Sequence, residues 1–528
     1  MSDRPESNTG FAEDTGDDGN RLLPIVEAGR NCWKISRSTK AAVVVDAAAY
    51  YHIVRQLMLG AQHRILIIGW DFDVRIPLEP DERGQGESLG AFFLRLAKTN
   101  PAREIDVLKW SFGAMRQFLR PAAVMWLLRW KAARAIRYRY DSAHPVGSSH
   151  HQKIVVIDDC LAVCGGIDIS SARWDRCEHA DEEPRRKNPD GKAYAPWHDV
   201  TMMMDGEVAA SLSELGRGRW EHATGEQLRA IEPCPAQWPE ELFAEFENVD
   251  IAIARTSAAY AGRPEVREVE ALFIDMIAAA RRFIYIENQY LTSGKIAAAI
   301  AARMQEEDPP EVILVMPRTA DGWLEQMAMD AARVRLARAV GRADRHNRFR
   351  IYVPVTAQGQ DIYVHAKVSI VDDRFLRVGS ANLNNRSLGL DSECDVAIDA
   401  ALDANRDVGP AISAIRHRLM GEHCGATGEE VAAAVEAAGG SLIGAIDALT
   451  KPGRRRLDLL DLTPPGRLDR FIADNELLDP DAADGFLEPW KRRGLWKGWQ
   501  QGQRALRVRR ARRRTRLATN VSGGERRD

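Results

Sequence analysis

Two short stretches of the chain carry the same ionisable residues at the same spacing: "HHQKIVVIDD" at 150–159 and "VHAKVSIVDD" at 364–373. Each reads His-x-Lys-x-x-x-x-Asp, with His151, Lys153 and Asp158 in the first and His365, Lys367 and Asp372 in the second. Apolar packing gives no reason for such a match. If each stretch starts a strand, His and Lys share one face at its beginning, and the apolar positions that follow anchor it in a sheet. "GSAN", Gly379–Asn382, adds the Ser380 hydroxyl, the Asn382 amide and a close backbone approach. Two imidazoles, two ammonium groups and an amide would form a cationic, donor-rich cup. Such a cup suits a phosphoryl group carrying charge on its nonbridging oxygens.

Two histidines permit a two-step displacement. One neutral imidazole attacks phosphorus and forms a covalent intermediate. The other protonates the leaving alcohol and then deprotonates the incoming water. Each ring needs a carboxylate or carbonyl to fix its tautomer, and Asp199 in "PWHDVTM" and Glu393 in "DSECDVAI" are the candidates. The lysines supply the positive charge, so no divalent metal is needed. A lone His-x-Lys would read as a solvated strand edge; two copies with matching Asp spacing, both followed by Gly-rich turns, do not. Asp158 and Asp372 are counted with the catalytic set, although a carboxylate at a strand end is better suited to making a turn or holding backbone. His150 falls on the opposite strand face.

The elements around the two stretches also repeat. "AAAYYHIVRQLMLGAQHRILIIGW" has helical periodicity and then a strand-like run, Ile65–Gly69; "EVREVEALFIDMIAAARRFIYIENQY" does the same with Phe283–Ile286. "EIDVLKW" then matches "EVILVMP", "AIRYRY" matches "RIYVPV", and after each His-Lys-Asp stretch a short turn leads to "LAVCGG" or "FLRVGS". Strands alternating with helices predict α/β layers. The expected organisation is a tail over 1–29, a first half over 30–225 (motif region 145–172), a Pro-rich linker over 226–244 and a second half over 245–420 (motif region 359–386). A helical and basic extension follows over 421–528. Neither half holds a complete constellation, so one shared site at their interface is expected.

Over 528 residues, 45% hydrophobic and 28% charged content with net charge −3 describe a globular chain with no global demand for nucleic acid or membrane. The N-terminus is acidic and polar, without the basic start and apolar stretch of a secretory signal. No apolar run reaches the roughly 18–20 residues of a membrane span. The location expected from these features is the cytoplasm or the membrane periphery, with secretion by another route left open. Seven scattered cysteines argue against a disulfide framework. Cys160, Cys164 and Cys177, near His179, would admit a metal site, but buried free Cys is commonly a small core residue. The basic end mixes Trp490, Trp496 and Trp499 with many arginines and is expected to bind an anionic membrane reversibly.

The paired motifs, "GGIDISSARWD" at 165–175, "PWHDV" at 196–200, "IYIENQY" at 284–290 and "GSANLNNRSLGLDSE" at 379–393, together make residues 30–420 resemble the phospholipase D superfamily. The resemblance favours the phospholipid-hydrolysing branch over nucleases and polyphosphate kinases. It implies two pseudo-symmetric α-β-α sandwich halves facing one active site, and hydrolysis of phosphatidylcholine or a similar phospholipid to phosphatidate and a free head group. Transphosphatidylation is implied when an alcohol replaces water. Carried over, His151 is the nucleophile, His365 the general acid, and Lys153, Lys367 and Asn382, with Ser380, bind phosphate. Asp199 and Glu393 orient the imidazoles, and no metal or other cofactor is implied. The expected partner is a phospholipid at a membrane surface, met by a monomer without specific nucleic-acid binding. One departure stands out: the first half has Gly-Gly-Ile-Asp where the second has Gly-Ser-Ala-Asn, and Asp168 as a carboxylate cannot donate to phosphate. The chain is similar to bacterial members in showing no segment like the lipid-binding modules of eukaryotic ones, and it lacks the N-terminal span of typical cardiolipin synthases. Three other readings compete: a cardiolipin synthase-like phosphatidyltransferase, a nucleic-acid phosphodiesterase, and a non-catalytic binding protein. The complete His, Lys and Asn set disfavours the last.

Overall fold

The structure, a computed structural model, describes residues 23–111, 121–232, 235–319 and 323–462. Residues 1–22 and the Trp- and Arg-rich end lie outside the described residues. The first half runs β1 (Lys34–Val45), α1 (Ala47–Gly60), β2 (Arg64–Gly69), α2 (Leu89–Thr99), β3 (Glu104–Trp110), α3 (Pro121–Ala132), β4 (Ile136–Asp141), β5 (Ile154–Ile157), β6 (Leu161–Gly165), β7 (Trp197–His198), β8 (Val200–Asp205) and α4 (Gly206–Thr224). The second runs β9 (Phe246–Ser257), β10 (Val266–Arg267), α5 (Glu268–Ala279), β11 (Phe283–Glu287), α6 (Gly294–Arg303), β12 (Glu311–Val315), α7 (Trp323–Ala343), β13 (Phe349–Val355), β14 (Tyr363–Val364), β15 (Val368–Val371), β16 (Phe375–Gly379), β17 (Glu393–Asp399) and α8 (Gly409–Cys424). Helices α9 (Gly428–Ala437) and α10 (Leu442–Leu449) and strand β18 (Arg456–Leu459) follow.

One mixed sheet runs through both halves in the order β4-β3-β2-β5-β6-β8-β1-β9-β17-β16-β15-β11-β12-β13-β18. Read outward from the antiparallel β1–β9 seam, the two halves have the same order, β1-β8-β6-β5-β2-β3-β4 and β9-β17-β16-β15-β11-β12-β13. The outer three strands of each half are parallel to one another, as helical crossovers require. The central strands are apolar at nearly every position because both sheet faces are covered. On one face α4 and α8 share a core that spans the seam: Leu212 and Trp220 belong to the same cluster as Ile412, Leu419, Ile68 and Val368. On the other face each half has its own core, under α1 and α2 in the first and under α5 and α6 in the second.

Helix α8 runs across residue 420, and β18 adds to the sheet edge, with Tyr352 opposite Leu459. Glu311, at the start of β12, caps α10 by accepting from Ser441 Oγ at 2.5 Å and Leu442 N at 2.8 Å. Among the described residues no single helix is long and apolar enough to cross a membrane; α9 and α10 pass such a test only as a pair bent by 118°.

The strands expected at Ile65–Gly69, Phe283–Ile286, "EIDVLKW" and "EVILVMP" are β2, β11, β3 and β12. The motif strands, however, begin three residues later than expected, at Ile154 and Val368, so His and Lys precede the ladder rather than opening it. Their backbones are engaged elsewhere. His151 N donates to Ser392 O (3.0 Å) and His365 N to His198 O (2.8 Å). The two-residue strands β7 and β14 pair in parallel, Trp197 with Tyr363 and His198 with Val364.

Candidate active site

Each half thus lays the backbone leading into its histidine beside the backbone of the other half that leads into a carboxylate. The pairing puts Glu393 of β17 next to His151, and Asp199, between β7 and β8, next to His365. His151 Nδ1 lies 3.0 Å from both Glu393 oxygens, and His365 Nδ1 lies 2.7 Å from Asp199 Oδ2. The partners are crossed, since the first half's imidazole is held by the second half's carboxylate and the reverse. Both imidazoles line one cavity of about 270 Å³ with Trp70, Trp110, Arg173, Trp197, Gln289, Tyr290, Met329, Asn382 and Asp391.

Burial and the neighbouring lysines hold both imidazoles well below the ordinary histidine value, Lys153 and Lys367 acting on His151, and Lys367, Arg173 and Lys153 on His365. Burial raises Glu393 to about 7 and also raises Asp199. Lys367 is brought down to about 7, first by its own burial. A neutral imidazole whose Nδ1–H donates to a carboxylate presents the Nε2 lone pair to the cavity, the form required of a nucleophile.

Each ammonium group turns back to the carbonyl of its own motif's histidine. Lys153 Nζ donates to His151 O at 3.0 Å and Lys367 Nζ donates to His365 O. Asp168, the residue that breaks the repeat, lies 3.2 Å from Lys153 Nζ and accepts from Trp70 N at 3.1 Å. It spends its negative charge on the first lysine. Lys367 instead has Gln289 Oε1 at 3.4 Å, and Asn382 keeps a buried side-chain oxygen without a hydrogen-bond partner. The two sides of the cup therefore differ: the second has a lysine without a carboxylate in contact and an amide whose oxygen is unpaired, the first a lysine–carboxylate pair.

Two expectations from sequence are corrected. Ser380 does not reach into the cup: its Oγ donates to Glu393 Oε2 at 2.5 Å, so it steadies the carboxylate behind His151 rather than a phosphate. Asp158 and Asp372 sit at the far ends of β5 and β15 from the imidazoles. Asp158 accepts from the backbone N–H of Gln62, His63 and Arg64 at 2.6–2.7 Å, and Asp372 from Arg281, Arg282 and Phe283 at 2.8–3.0 Å. These carboxylates tie the starts of β2 and β11 and do not line the cavity that holds the imidazoles. His150 is fully buried with its Nδ1 3.0 Å from Ser392 Oγ, on the seam and away from the cavity.

Sequence reasoning assigned no task to Arg173, Gln289 or Trp197. The Arg173 guanidinium lies 4.0 Å from the Trp197 ring centroid, and Gln289 Nε2 donates to Tyr363 Oη at 2.8 Å. All three fall within the quoted "RWD", "PWHD" and "IENQ" stretches, which were read as family markers without roles. Trp70 and Trp110 stack at 5.8 Å and form one aromatic wall, and Trp197 stacks on Tyr363 at 4.5 Å to form another. Cys164 faces Cys394 of the other half at 3.7 Å, and among the described residues the groups close enough to hold a metal contain no sulfur.

A family model described as "Phospholipase D" matches residues 57–307, and one described as "Cardiolipin synthase, PLD-like domain" matches 273–408. The chain is 26% identical to Phospholipase D1 of Saccharomyces cerevisiae over 380 residues, 52% of this chain and 22% of that protein. It is 23% identical to Phospholipase D alpha 1 of Carica papaya over 398 residues, 52% of this chain and 49% of that one. The chain thus matches half or less of the length of these relatives. Among solved structures, phosphatidylserine synthase of Haemophilus influenzae superposes with a TM-score of 0.49 at 12% identity, covering 71% of this chain and 85% of the other. With both matched regions meeting in one cup, and with curated relatives of that kind, the chain belongs to the phospholipase D superfamily.

Proposed function

We propose that the chain hydrolyses phosphatidylcholine-like phospholipids to phosphatidate and a free head group through a phosphohistidine. The observation that carries this reading is the crossed pair of carboxylate-backed imidazoles opening on one cavity. His151 Nε2 attacks phosphorus as His365 gives its proton to the departing head-group oxygen. His365 then takes a proton from water, whose oxygen displaces His151 and leaves phosphatidate. In the free cup Lys367 and Arg173 oppose a charged His365. The phosphodiester's own negative charge offsets them, so the proton is held once substrate is bound. Lys153, Lys367 and Asn382 receive the nonbridging oxygens. The aromatic walls of Trp70, Trp110, Trp197 and Tyr290, with Asp391 beside them, suit a quaternary ammonium head group through cation–π attraction.

The match to a model described as a cardiolipin synthase-like domain favours one second reading, transfer of the phosphatidyl group to an alcohol. The two share the covalent intermediate and differ in what attacks it. Purified chain incubated with a panel of phospholipids, with and without a primary alcohol, separates them by product mass. Phosphatidate and choline from phosphatidylcholine support hydrolysis. Cardiolipin from phosphatidylglycerol, with phosphatidylcholine untouched, would replace it with the transferase.

A further inference from the structure

One residue before Asp199, the chain enters a second buried cluster that the phosphoryl chemistry does not use. His198 Nδ1 lies 2.6 Å from Glu422 Oε1 and 3.2 Å from Asp46 Oδ1. His179 Nε2 lies 3.0 Å from the same Glu422 oxygen and 3.5 Å from Asp46 Oδ2. One atom from each of the four residues falls within 4.8 Å of all the others, and all four residues are buried. The far nitrogens are also held by carboxylates: His179 Nδ1 by Asp175 at 2.9 Å and His198 Nε2 by Glu287 at 2.8 Å. Glu287 in turn accepts from Tyr285 Oη at 2.7 Å. Asp46 Oδ2, pointing into this group, is buried and has no hydrogen-bond partner.

Histidines that bind metal nearly always give their other N–H to a carboxylate or carbonyl, and both do so here. Ligands at zinc's usual 2.0–2.2 Å in a tetrahedron stand roughly 3.3 Å apart. The approaches of the two ring nitrogens to Glu422 and Asp46, 2.6–3.5 Å, bracket that spacing, with Asp46 meeting each ring through a different oxygen. A modest retreat of Glu422 would open the centre. An ion at the centre also gives Asp46 Oδ2 a partner. We propose that Asp46, His179, His198 and Glu422 bind one divalent transition-metal ion, zinc by the character of the two-nitrogen, two-oxygen set. Four protein ligands and full burial leave no open coordination position, so the ion is structural. It joins the start of α1, the loop after β6, and β7 to helix α8 of the other half. It also fixes His198, whose carbonyl receives His365 N and whose neighbour is Asp199. The site is independent of which phosphoryl substrate the cup accepts.

The competing occupant is a pair of protons. The surrounding carboxylates raise His179 to about 10 and hold His198 well above the ordinary histidine value, so a metal-free cluster would hold imidazolium ions. The test uses the full chain, purified without metal resin, saturated with zinc and gel-filtered. Plasma mass spectrometry should find about one zinc per chain, and X-ray absorption should show nitrogen and oxygen neighbours with two imidazoles and no sulfur. His179→Gln and Glu422→Gln should each lower the zinc content at least about fivefold. His52→Gln should leave it unchanged; His52 is an exposed histidine held between Glu79 and Glu241, where adventitious zinc would sit. If either cluster variant fails to fold, the stoichiometry and spectrum of the unaltered chain still decide. Less than about a tenth of an equivalent of zinc, or a spectrum with sulfur or fewer than two imidazoles, overturns the proposal.

Discussion

Replacing His365 by Asn, and separately His151 by Asn, should expose different halves of the reaction. In the structure His365 is backed by Asp199 at 2.7 Å and His151 by Glu393 at 3.0 Å, and both face the cavity. A general acid contributes typically about 10²–10⁴-fold, or roughly 3–5.5 kcal/mol of barrier, when the leaving group is a poor one such as an alcohol. An aryl oxide leaves without a proton, so with a nitrophenyl phosphodiester the His365→Asn enzyme should form its phosphohistidine at close to the unaltered rate. It should then stall, because the same residue is missing as the base that activates water. Stopped-flow absorbance would show a burst of about one nitrophenolate per chain followed by turnover roughly 10²–10⁴-fold slower. His151→Asn should give no burst with any leaving group. Asp199→Asn should behave as a milder His365→Asn, and Glu393→Asn as a milder His151→Asn. A burst from His151→Asn and none from His365→Asn would refute the assignment of roles, and no burst from either would refute the covalent intermediate.

Because Glu393 must be ionised and Lys367 charged, and both lie at about 7, kcat/KM should rise through neutral pH on the first and fall on the second, with roughly a quarter of the enzyme in the productive form at the optimum. Lys367→Arg, which stays protonated, should move the alkaline limb upward; an unmoved limb would remove Lys367 from that assignment. Residues 1–230 alone should be inactive, since His151 then lacks Glu393, and full turnover from that fragment as a monomer would contradict the crossed site. Asp158→Ala should lower stability by about 3 kcal/mol through three orphaned backbone donors, with kcat of the folded fraction nearly unchanged; a fully stable but inactive variant would return Asp158 to the catalytic set. Truncation after Glu488 should weaken binding to anionic liposomes without altering hydrolysis of a soluble short-chain substrate, and unaltered binding would move the membrane contact to the two halves.

The strands were legible because central strands such as Ile65–Ile68 and Val368–Val371 are apolar on both faces and are bounded by Gly, Asp or charged residues. The histidines and lysines were legible because packing gives no other reason for their repetition. What stayed hidden depends on contacts between residues far apart in sequence. Asp199 and Glu393 could be named as partners, but not which imidazole each serves, because the choice is made by the β7–β14 and His150–Ser392 pairings across the seam. Ser380 looked free for phosphate because nothing local shows Glu393 waiting 2.5 Å away. The late start of the motif strands has the same origin: tertiary pairing with the other half captured backbone that local pattern had assigned to the ladder. Glu422 lay just beyond the expected end of the second half at residue 420, and so drew no attention.

The β1–β9 seam has a consequence for how the chain is made. Lys34 pairs with Ile253, so at a synthesis rate of about 5–20 residues per second the partner of β1 appears roughly ten to forty seconds after β1 itself. During that interval the newly made first half presents a long, unpaired strand edge, which is a template for joining another nascent chain. β8 can already pair the opposite edge of β1 along its apolar end, Ala41–Val45. The other end, which must wait for β9, carries Lys34, Arg37 and Lys40. Charge on an edge that is only temporarily exposed discourages two ribosome-bound chains from zipping together, and it keeps the position open for the strand that arrives last.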